Sequence, residues 1–340
     1  MSPVYACPVN SIPLNTSSCT CNDQYISDGT SCVPAACPAN MSGTPCACNP
    51  GGYVPDPNGP GCVYQTLTLT IESTYSAKGP FKTEPNGILA LKAVVKDQFG
   101  LPKAGKQVTL TVDVQGGGGH DHNENRPKGG LSCAQLFSVC TLGATDGSGE
   151  AGFTFRAPAP AGEHTITATC PGCNSADAYI KVMVDGLVPI PGSPYYALQD
   201  SAGNVIGAVR NKHSANHYLT KEAIKKLNDF AKKYSTTVLL NAKLYLNDAS
   251  LVWGGLFDVG NTPWTSPHEG HDRGVSVDIR AENILGQYEG AVPMANFDDT
   301  TKAAAKAGAR AALHCTADGN SLIGNICNYI PYNRHFHVDF

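Results

Sequence analysis

The sequence predicts a multidomain chain with disulfide-rich repeats first, an antiparallel β-sandwich next, and a C-terminal α+β domain with a small antiparallel sheet. Eight of the 14 cysteines lie in residues 1–62, strand-like alternation fills the middle of the chain, and helical periodicity first appears after residue 186. A length of 340 residues accommodates two or three ordinary domains. We place them at residues 1–63, 64–186 and 187–340.

Charge and hydropathy exclude several classes of protein. The 24 Lys and Arg are balanced by 28 Asp and Glu, which gives a net charge of −4 and no basic run longer than two residues. We therefore expect neither a nucleic-acid partner nor an anionic-membrane surface. No stretch approaches the roughly 18 apolar residues of a transmembrane segment.

The N-terminal cysteines form an internal repeat with the pattern C…CxC…C. Its members are Cys7, Cys19, Cys21 and Cys32, followed by Cys37, Cys46, Cys48 and Cys62. An even number at this density is typical of disulfides in an oxidising compartment, whereas structural zinc would favour paired CxxC or Cys/His sets, which are missing. We expect two EGF-like knots of open connectivity, serving as a stalk or as a module for a cell-surface ligand.

These cysteines predict export, although residues 1–10 lack the basic start and apolar segment of a secretory signal. We expect a secreted or cell-envelope protein, periplasmic or extracellular, whose signal peptide is absent from this sequence or which is exported by another route.

The middle region alternates apolar and polar residues in short runs, such as 66–71, 108–112 and 164–168, separated by glycine-containing turns. This pattern predicts the strands of an antiparallel β-sandwich. The segments AVVKDQFGLPKAGKQVTLTV, TDGSGEAGFTF and AGEHTITAT resemble bacterial Ig-like domains of the invasin type, in that order along the chain. The resemblance implies a spacer or adhesion module.

Two features of this region have alternative explanations. His120 and His122 follow four glycines and lie among acidic residues, which predicts either a transition-metal site or a solvated loop. Cys170 and Cys173 form a CxxC pair, for which a local disulfide is favoured over a redox or zinc role.

The C-terminal region combines helices and strands. Thr220 is a suitable cap for a helix to about Tyr234, and an Ala-rich helix is expected from Asp299 or Thr300 to about His314. Residues 237–240 are strand-like. We expect Cys315 and Cys327 to form a disulfide.

Histidines concentrate in two strings of this region, residues 266–279 and 333–340. Alternation predicts that each string contains a strand with its aliphatic residues on one face and its His or Asp residues on the other. Two imidazoles and one carboxylate with an open fourth position have the composition of a catalytic zinc site. His268 and His271 are only three residues apart, beside Pro267 and Gly270, which excludes a helical HExxH motif.

The pattern from His271 to Asp278, followed by His335 and His337, resembles zinc metallopeptidases related to lysostaphin, D-alanyl-D-alanine peptidases and the hedgehog signalling domain. The string PHxxHxxGxxxDI is most similar to the penicillin-insensitive murein endopeptidases. The resemblance covers about 130–150 residues and implies a zinc peptidase domain.

The resemblance implies that His271, Asp278 and His337 bind Zn²⁺, that His335 acts on the metal-bound water, and that His268 lines the same pocket in a catalytic role. Zinc would lower the pKa of bound water and polarise the scissile carbonyl. The substrate-binding candidates are Arg273, Arg210 and Trp253.

These residues predict a secreted zinc metallopeptidase that hydrolyses peptidoglycan stem peptides or cross-links, as an endopeptidase or a carboxypeptidase. The alternative is a zinc-containing extracellular adhesin or binding protein with a non-catalytic, hedgehog-like metal site.

Overall fold

The computed structural model describes most of the chain after residue 80 and shorter pieces before it. The described residues are 11–15, 18–21, 25–27, 32–34, 41–42, 47–48, 53–57, 62–73, 81–133, 139–198, 213–258, 263–264, 270–281, 291–317, 320–323 and 333–340. They belong to two compact units, residues 1–68 with 96–101 and residues 69–95 with 102–340.

The cysteine-rich region is built from short antiparallel hairpins, two in each predicted repeat. The paired strands are β1 (Ser11–Asn15) with β2 (Ser18–Cys21), β3 (Tyr25–Ser27) with β4 (Cys32–Pro34), β5 (Met41–Ser42) with β6 (Ala47–Cys48), and β7 (Tyr53–Pro55) with β8 (Cys62–Tyr64). Strands of two to five residues bury little apolar surface, so a region of this kind depends on covalent cross-links.

The middle region forms two sheets. Its strands are β9 (Leu67–Ser73), β10 (Phe81–Thr83), β11 (Ile88–Asp97), β12 (Gln107–Gly116), β13 (Gly130–Leu131), β14 (Val139–Ala144), β15 (Glu150–Arg156), β16 (Gly162–Thr169) and β17 (Ala176–Val182). One sheet has the order β10-β17-β16-β12-β14 and the other β13-β15-β11-β9. Alternate residues of β12, β15 and β16 are buried, and the Phe155 and His164 rings, one from each sheet, lie 5.5 Å apart. The two sheets therefore enclose a shared apolar core.

The C-terminal region is organised on a six-stranded mixed sheet of order β19-β21-β22-β25-β23-β24. Its elements are β18 (Leu187–Pro189), β19 (Tyr196–Leu198), β20 (Tyr218–Thr220), α1 (Lys221–Lys233), β21 (Leu244–Leu246), β22 (Ser276–Arg280), α2 (Phe297–Lys306), β23 (Arg310–Ala317), β24 (Asn320–Ile323) and β25 (Asn333–Asp339). Strands β18 and β20 pair separately.

Helix α1 confirms the predicted cap and apolar stripe. The Thr220 side chain accepts a hydrogen bond from Ala223 N at 3.2 Å, which satisfies one of the free amides of the first turn. Buried Ala223, Leu227, Phe230 and Ala231 recur at helical spacing, and they pack against the aliphatic face of β22 and β25.

Two predicted elements of this region are wrong. Residues 237–240 do not form a strand, since a π-helical turn at Tyr234–Val238 continues α1, and the Thr236 and Thr237 hydroxyls donate to carbonyls of the preceding turn. The Ala-rich helix ends at Lys306 rather than near His314, because Gly308 adopts a left-handed conformation (φ +75°) and the chain then enters β23.

The predicted fold class, three modules ending in an α+β peptidase-like domain with a small antiparallel sheet, is wrong. The described chain is mainly β-sheet with two α-helices, and its C-terminal sheet is a six-stranded mixed one. The cause is that stretches predicted as helix or left unassigned pair as strands: β23 with β25, and β19 in parallel with β21.

The predicted disulfide between Cys170 and Cys173 is confirmed, and Cys133 pairs with Cys140. Cys315 lies on β23, but its predicted partner Cys327 is outside the described residues. No α-helix in the described part of the chain has the length and apolar character to cross a membrane.

Candidate metal centres

The strand cluster, defined as His271, Asp278 and His337, is assembled by the pairing of β22 with β25. The antiparallel register places Asp278 directly opposite His337, and residues opposite one another share a face of the sheet. His271 lies on the turn before β22. Gly270 in that turn has φ +84°, and a Cβ there would lie 2.6 Å from His337 Nε2, so only glycine permits the approach.

The donor atoms of the strand cluster lie close together and away from water. Asp278 Oδ1 is 3.2 Å from His271 Nε2 and 2.9 Å from His337 Nδ1. His335 Nε2 lies 3.4 Å from the second oxygen, Oδ2, of Asp278. All four residues are buried, with exposed fractions from 0% to 9%.

Ionisation within the strand cluster is set by mutual pairing. Burial alone would raise the pKa of Asp278, but His335, His271 and His337 outweigh it and hold this pKa well below its usual value. Burial alone would lower the pKa of His337, but Asp278 and Asp339 outweigh the effect of burial and raise this pKa above its usual value. Asp278 is thus an ionised carboxylate among imidazoles.

Asp339 orients His337 from the outside. Its Oδ1 lies 3.1 Å from His337 Nε2 and accepts a hydrogen bond from Ser276 Oγ at 2.8 Å. A carboxylate behind a ligating imidazole is a common arrangement around zinc. Two imidazoles and one carboxylate within 4.8 Å of one another form a donor set that fits Zn²⁺.

The other predicted site residues lie apart from this cluster or outside the described chain. Arg273 is exposed, and it borders a cleft of about 330 Å³ that also includes Gly270, Asp272 and Glu84. The ring of Trp253 lies under Lys181 Nζ, 3.7 Å from its centroid, and therefore packs in the protein rather than facing this cleft. His268 and Arg210 are outside the described residues.

The loop cluster, a second group of donors, consists of His120, His122, His213 and Asp258. His120 Nδ1 and His122 Nε2 lie 3.3 and 3.1 Å from the two carboxylate oxygens of Asp258. His213 Nε2 lies 3.1 Å from Oδ1 of the same carboxylate. Asp258 is fully buried, and its Oδ2 accepts a hydrogen bond from Trp264 N at 2.8 Å.

In the loop cluster, as in the strand cluster, burial and the neighbouring polar groups shift the pKa values in opposite directions. Burial would raise the pKa of Asp258, but His120, His213, the Trp264 amide and His122 outweigh it and lower this pKa. Burial lowers the pKa of His120, partly opposed by Asp258. An ionised carboxylate therefore faces a His120 imidazole that favours the neutral form.

Sequence reasoning identified His120 and His122 but missed their partners. His213 and Asp258 lie roughly 90 and 140 residues beyond the loop, and no local pattern connects them to it. The available signal was the glycine run at residues 116–119, which indicates a close backbone approach ahead of the two histidines.

Comparisons with known proteins identify no family for this chain. No protein-family model and no curated protein matches it. The Yersinia pseudotuberculosis adhesin InvE is 11% identical, with 82% of this chain and 73% of that chain covered and a TM-score of 0.32. Domains 4 and 5 of the S-layer protein SbsC are 19% identical, with 35% of this chain covered and a TM-score of 0.22; this chain spans 53% of that fragment.

A third solved structure is the CARDB domain of the PF1109 protein from Pyrococcus furiosus in complex with di-metal ions. It is 18% identical, with 35% of this chain and 88% of that domain covered and a TM-score of 0.21. TM-scores this low are too small to transfer a fold or a function.

The resemblance to zinc metallopeptidases is therefore wrong as an assignment, together with the hydrolase and metalloprotease character drawn from it. No family model and no curated relative supports it. The Ig-like and EGF-like resemblances gain no family match either.

Proposed function

We propose that this chain is an extracellular, cell-surface binding protein that holds Zn²⁺ in the strand cluster for structure. The observation that carries the proposal is the burial of His271, Asp278, His337 and His335, none of them more than 9% exposed. Structural zinc sites are closed by four protein ligands, whereas catalytic sites keep a position open to water and substrate.

His335 is the residue that closes the site. It lies two residues before His337 on β25, on the same face of the strand, and its Nε2 is 3.4 Å from Asp278 Oδ2. Three imidazoles and one carboxylate would give zinc a full tetrahedral set. The ion would then join the turn at His271 to strands β22 and β25.

The cysteine-rich N-terminal repeats and the disulfides after residue 130 support an oxidising location outside the cytoplasm. For the ligand we propose a peptide of the cell wall, bound in the cleft beside Gly270. The cleft volume of about 330 Å³ suits a few residues, and Glu84, Asp272 and Arg273 offer both signs of charge to a zwitterionic peptide.

Substitution of His335 separates a structural role of the zinc from hydrolysis of peptide bonds. For H335A we expect a loss of zinc affinity and a lower thermal midpoint, because a ligand is removed from a closed site. Bound zinc is measured by mass spectrometry of the dialysed protein, and the midpoint by circular dichroism. A chain that keeps its zinc in H335A but loses chelator-sensitive release of muropeptides would contradict the proposal.

R273A is the matched control. Arg273 borders the cleft but is not a zinc donor, so the variant is expected to keep its zinc and its thermal midpoint while retention on insoluble peptidoglycan falls. Unchanged retention would contradict the proposed ligand site and leave the zinc site standing.

A further inference from the structure

The loop cluster brings together donors from distant parts of the chain. His120 and His122 belong to the loop after β12, while His213 and Asp258 belong to the segments before and after α1 and β21. The glycines at 116–119 all have positive φ, and a Cβ at Gly117 would lie 2.7 Å from the Trp253 ring. The glycines thus allow the loop backbone to pack closely against the 213–258 segment, which brings the two histidines next to it.

The two loop histidines are buried without hydrogen bonds. The His120 side chain is 0% exposed and that of His122 is 12% exposed. Among the described residues, no hydrogen-bond partner faces either ring nitrogen of His120 or His122, although one nitrogen of each lies within 3.3 Å of Asp258. Two imidazoles thus lie close to a carboxylate without a hydrogen bond to it, and a buried polar group without such a bond destabilises the fold.

The surroundings hold these donors in place. The rings of His120 and His122 lie 4.9 and 4.4 Å from Trp264, whose amide binds Asp258. The guanidinium of Arg126 lies 5.0 Å from the same indole and donates to the carbonyls of Gly117 and Ala161. Ligand-bearing segments fixed by buried contacts are the setting of a preorganised metal site.

We propose that the loop cluster is a second transition-metal site, filled by Zn²⁺ bound to His120, His122 and Asp258, with His213 holding the Asp258 carboxylate in place. Imidazole and carboxylate donors suit zinc among the common divalent ions. The ion supplies the missing partner of both loop histidines. It also ties the loop after β12 to the segment that carries Asp258.

This site is separate from the strand cluster. The Phe257 ring lies between them, 5.4 Å from the His213 ring and 6.1 Å from the His271 ring. The contributions of the four donors also differ. His213 Nδ1 accepts a hydrogen bond from Asp121 N, so its Nε2 already donates to Asp258. We therefore expect H213Q to weaken zinc binding less than H120A or H122Q.

The test is zinc stoichiometry of the full chain after dialysis against Zn²⁺ alone. We expect two equivalents in the native chain, one in H122Q, one in H271A and none in the double variant. The control H164L removes a buried histidine outside both clusters and is expected to keep two equivalents.

The outcomes distinguish this site from the proposed function. A single equivalent that H271A loses and H122Q keeps would overturn the second site and leave the strand cluster standing. A single equivalent lost only in H122Q would support the second site and overturn the proposed zinc role of the strand cluster. No bound zinc in the native chain would overturn both.

A measurement on the native chain tests the site without any substitution, so its result does not depend on whether a variant folds. Co²⁺ added to the metal-free native protein is expected to quench the fluorescence of Trp264, because the indole lies within 5 Å of two ligand rings. Quenching should saturate and be reversed by excess Zn²⁺. Unchanged fluorescence at saturating Co²⁺ would overturn the proposal.

Discussion

His164 lies on β16 with 1% of its surface exposed, packed against the Phe155 ring in the core between the two sheets. Burial lowers its pKa to about 4, an effect that nearby backbone groups oppose only partly. The residue is therefore neutral in the folded protein at every pH at which the protein is ordinarily handled. Protonation of a histidine in such a core destabilises the fold, because the charged imidazole is poorly solvated there.

Acid should destabilise the sandwich through His164. Its folded pKa lies below the unfolded value of about 6.5, so the unfolded chain takes up the proton first. The part of the free energy of unfolding that depends on neutral His164 is fully present above pH 6.5 and is lost as the pH falls toward 4. This part amounts to about 3 kcal/mol at most. Urea unfolding followed at pH 7.5 and pH 5 should show a smaller loss in H164L than in the native chain.

The control for this comparison is I166V, on the same strand and face. It removes one methyl group from the core and leaves His164 in place, so it should lower stability equally at both pH values. An acid-induced loss that is the same in H164L and the native chain would show that His164 does not contribute to it.

At the scale of an element, the loop after β12 depends on its glycines. Gly118 has φ +80°, and a Cβ there would lie 2.5 Å from the Ala161 carbonyl oxygen. Gly105 has a similar φ of +75° but open space around it. The two positions share backbone strain and differ only in packing.

G118A should therefore be more destabilising than G105A. A left-handed alanine costs roughly 1–2 kcal/mol at either position, and the clash at Gly118 adds about 1–3 kcal/mol of overpacking. Urea midpoints of the two variants give the difference. Equal midpoints would mean that the loop after β12 does not approach Ala161 closely.

A helix or strand could be predicted from the sequence where capping residues and apolar periodicity within the segment specify it. The Thr220 cap and the stripe from Ala223 to Ala231 identify α1 without reference to the rest of the fold. Residues 310–314 continue the alanine-rich pattern of α2 and yet form β23. The difference arises because β25 offers an antiparallel partner, and pairing within a buried sheet outweighs a helix preference of a few tenths of a kcal/mol per residue.

At the scale of the whole molecule, both candidate metal centres lie in the compact unit of residues 69–95 and 102–340. Strand β9 begins just before this unit and buries Leu67, Leu69 and Ile71. The predicted domain boundaries at residues 63 and 186 stay predictions. Because β9 is buried, we expect the chain to tolerate truncation before this strand but not after it.

A chain of residues 65–340 should fold and bind zinc as the full chain does, whereas a chain of residues 74–340 should not. The shorter one lacks β9, whose three buried side chains contribute about 1.5–3 kcal/mol each, and it exposes the edge of β11. Urea unfolding, size-exclusion chromatography and zinc content test the pair. Equal stability of the two would contradict the role of β9.

The sequence by itself predicted an oxidising compartment for the N-terminal region, the alternating strands of the middle region, helix α1, and the two histidine strings that contain His271, Asp278, His335 and His337. These follow from composition and from periodicities of two or 3.6 residues, which are local properties. Only the tertiary structure decided that β19, β21, β22, β25, β23 and β24 form one mixed sheet, that His335 lies beside Asp278 of the strand cluster, and that His120 and His122 meet His213 and Asp258. Such contacts join residues up to about 140 positions apart, and their geometry depends on packing that no local pattern encodes.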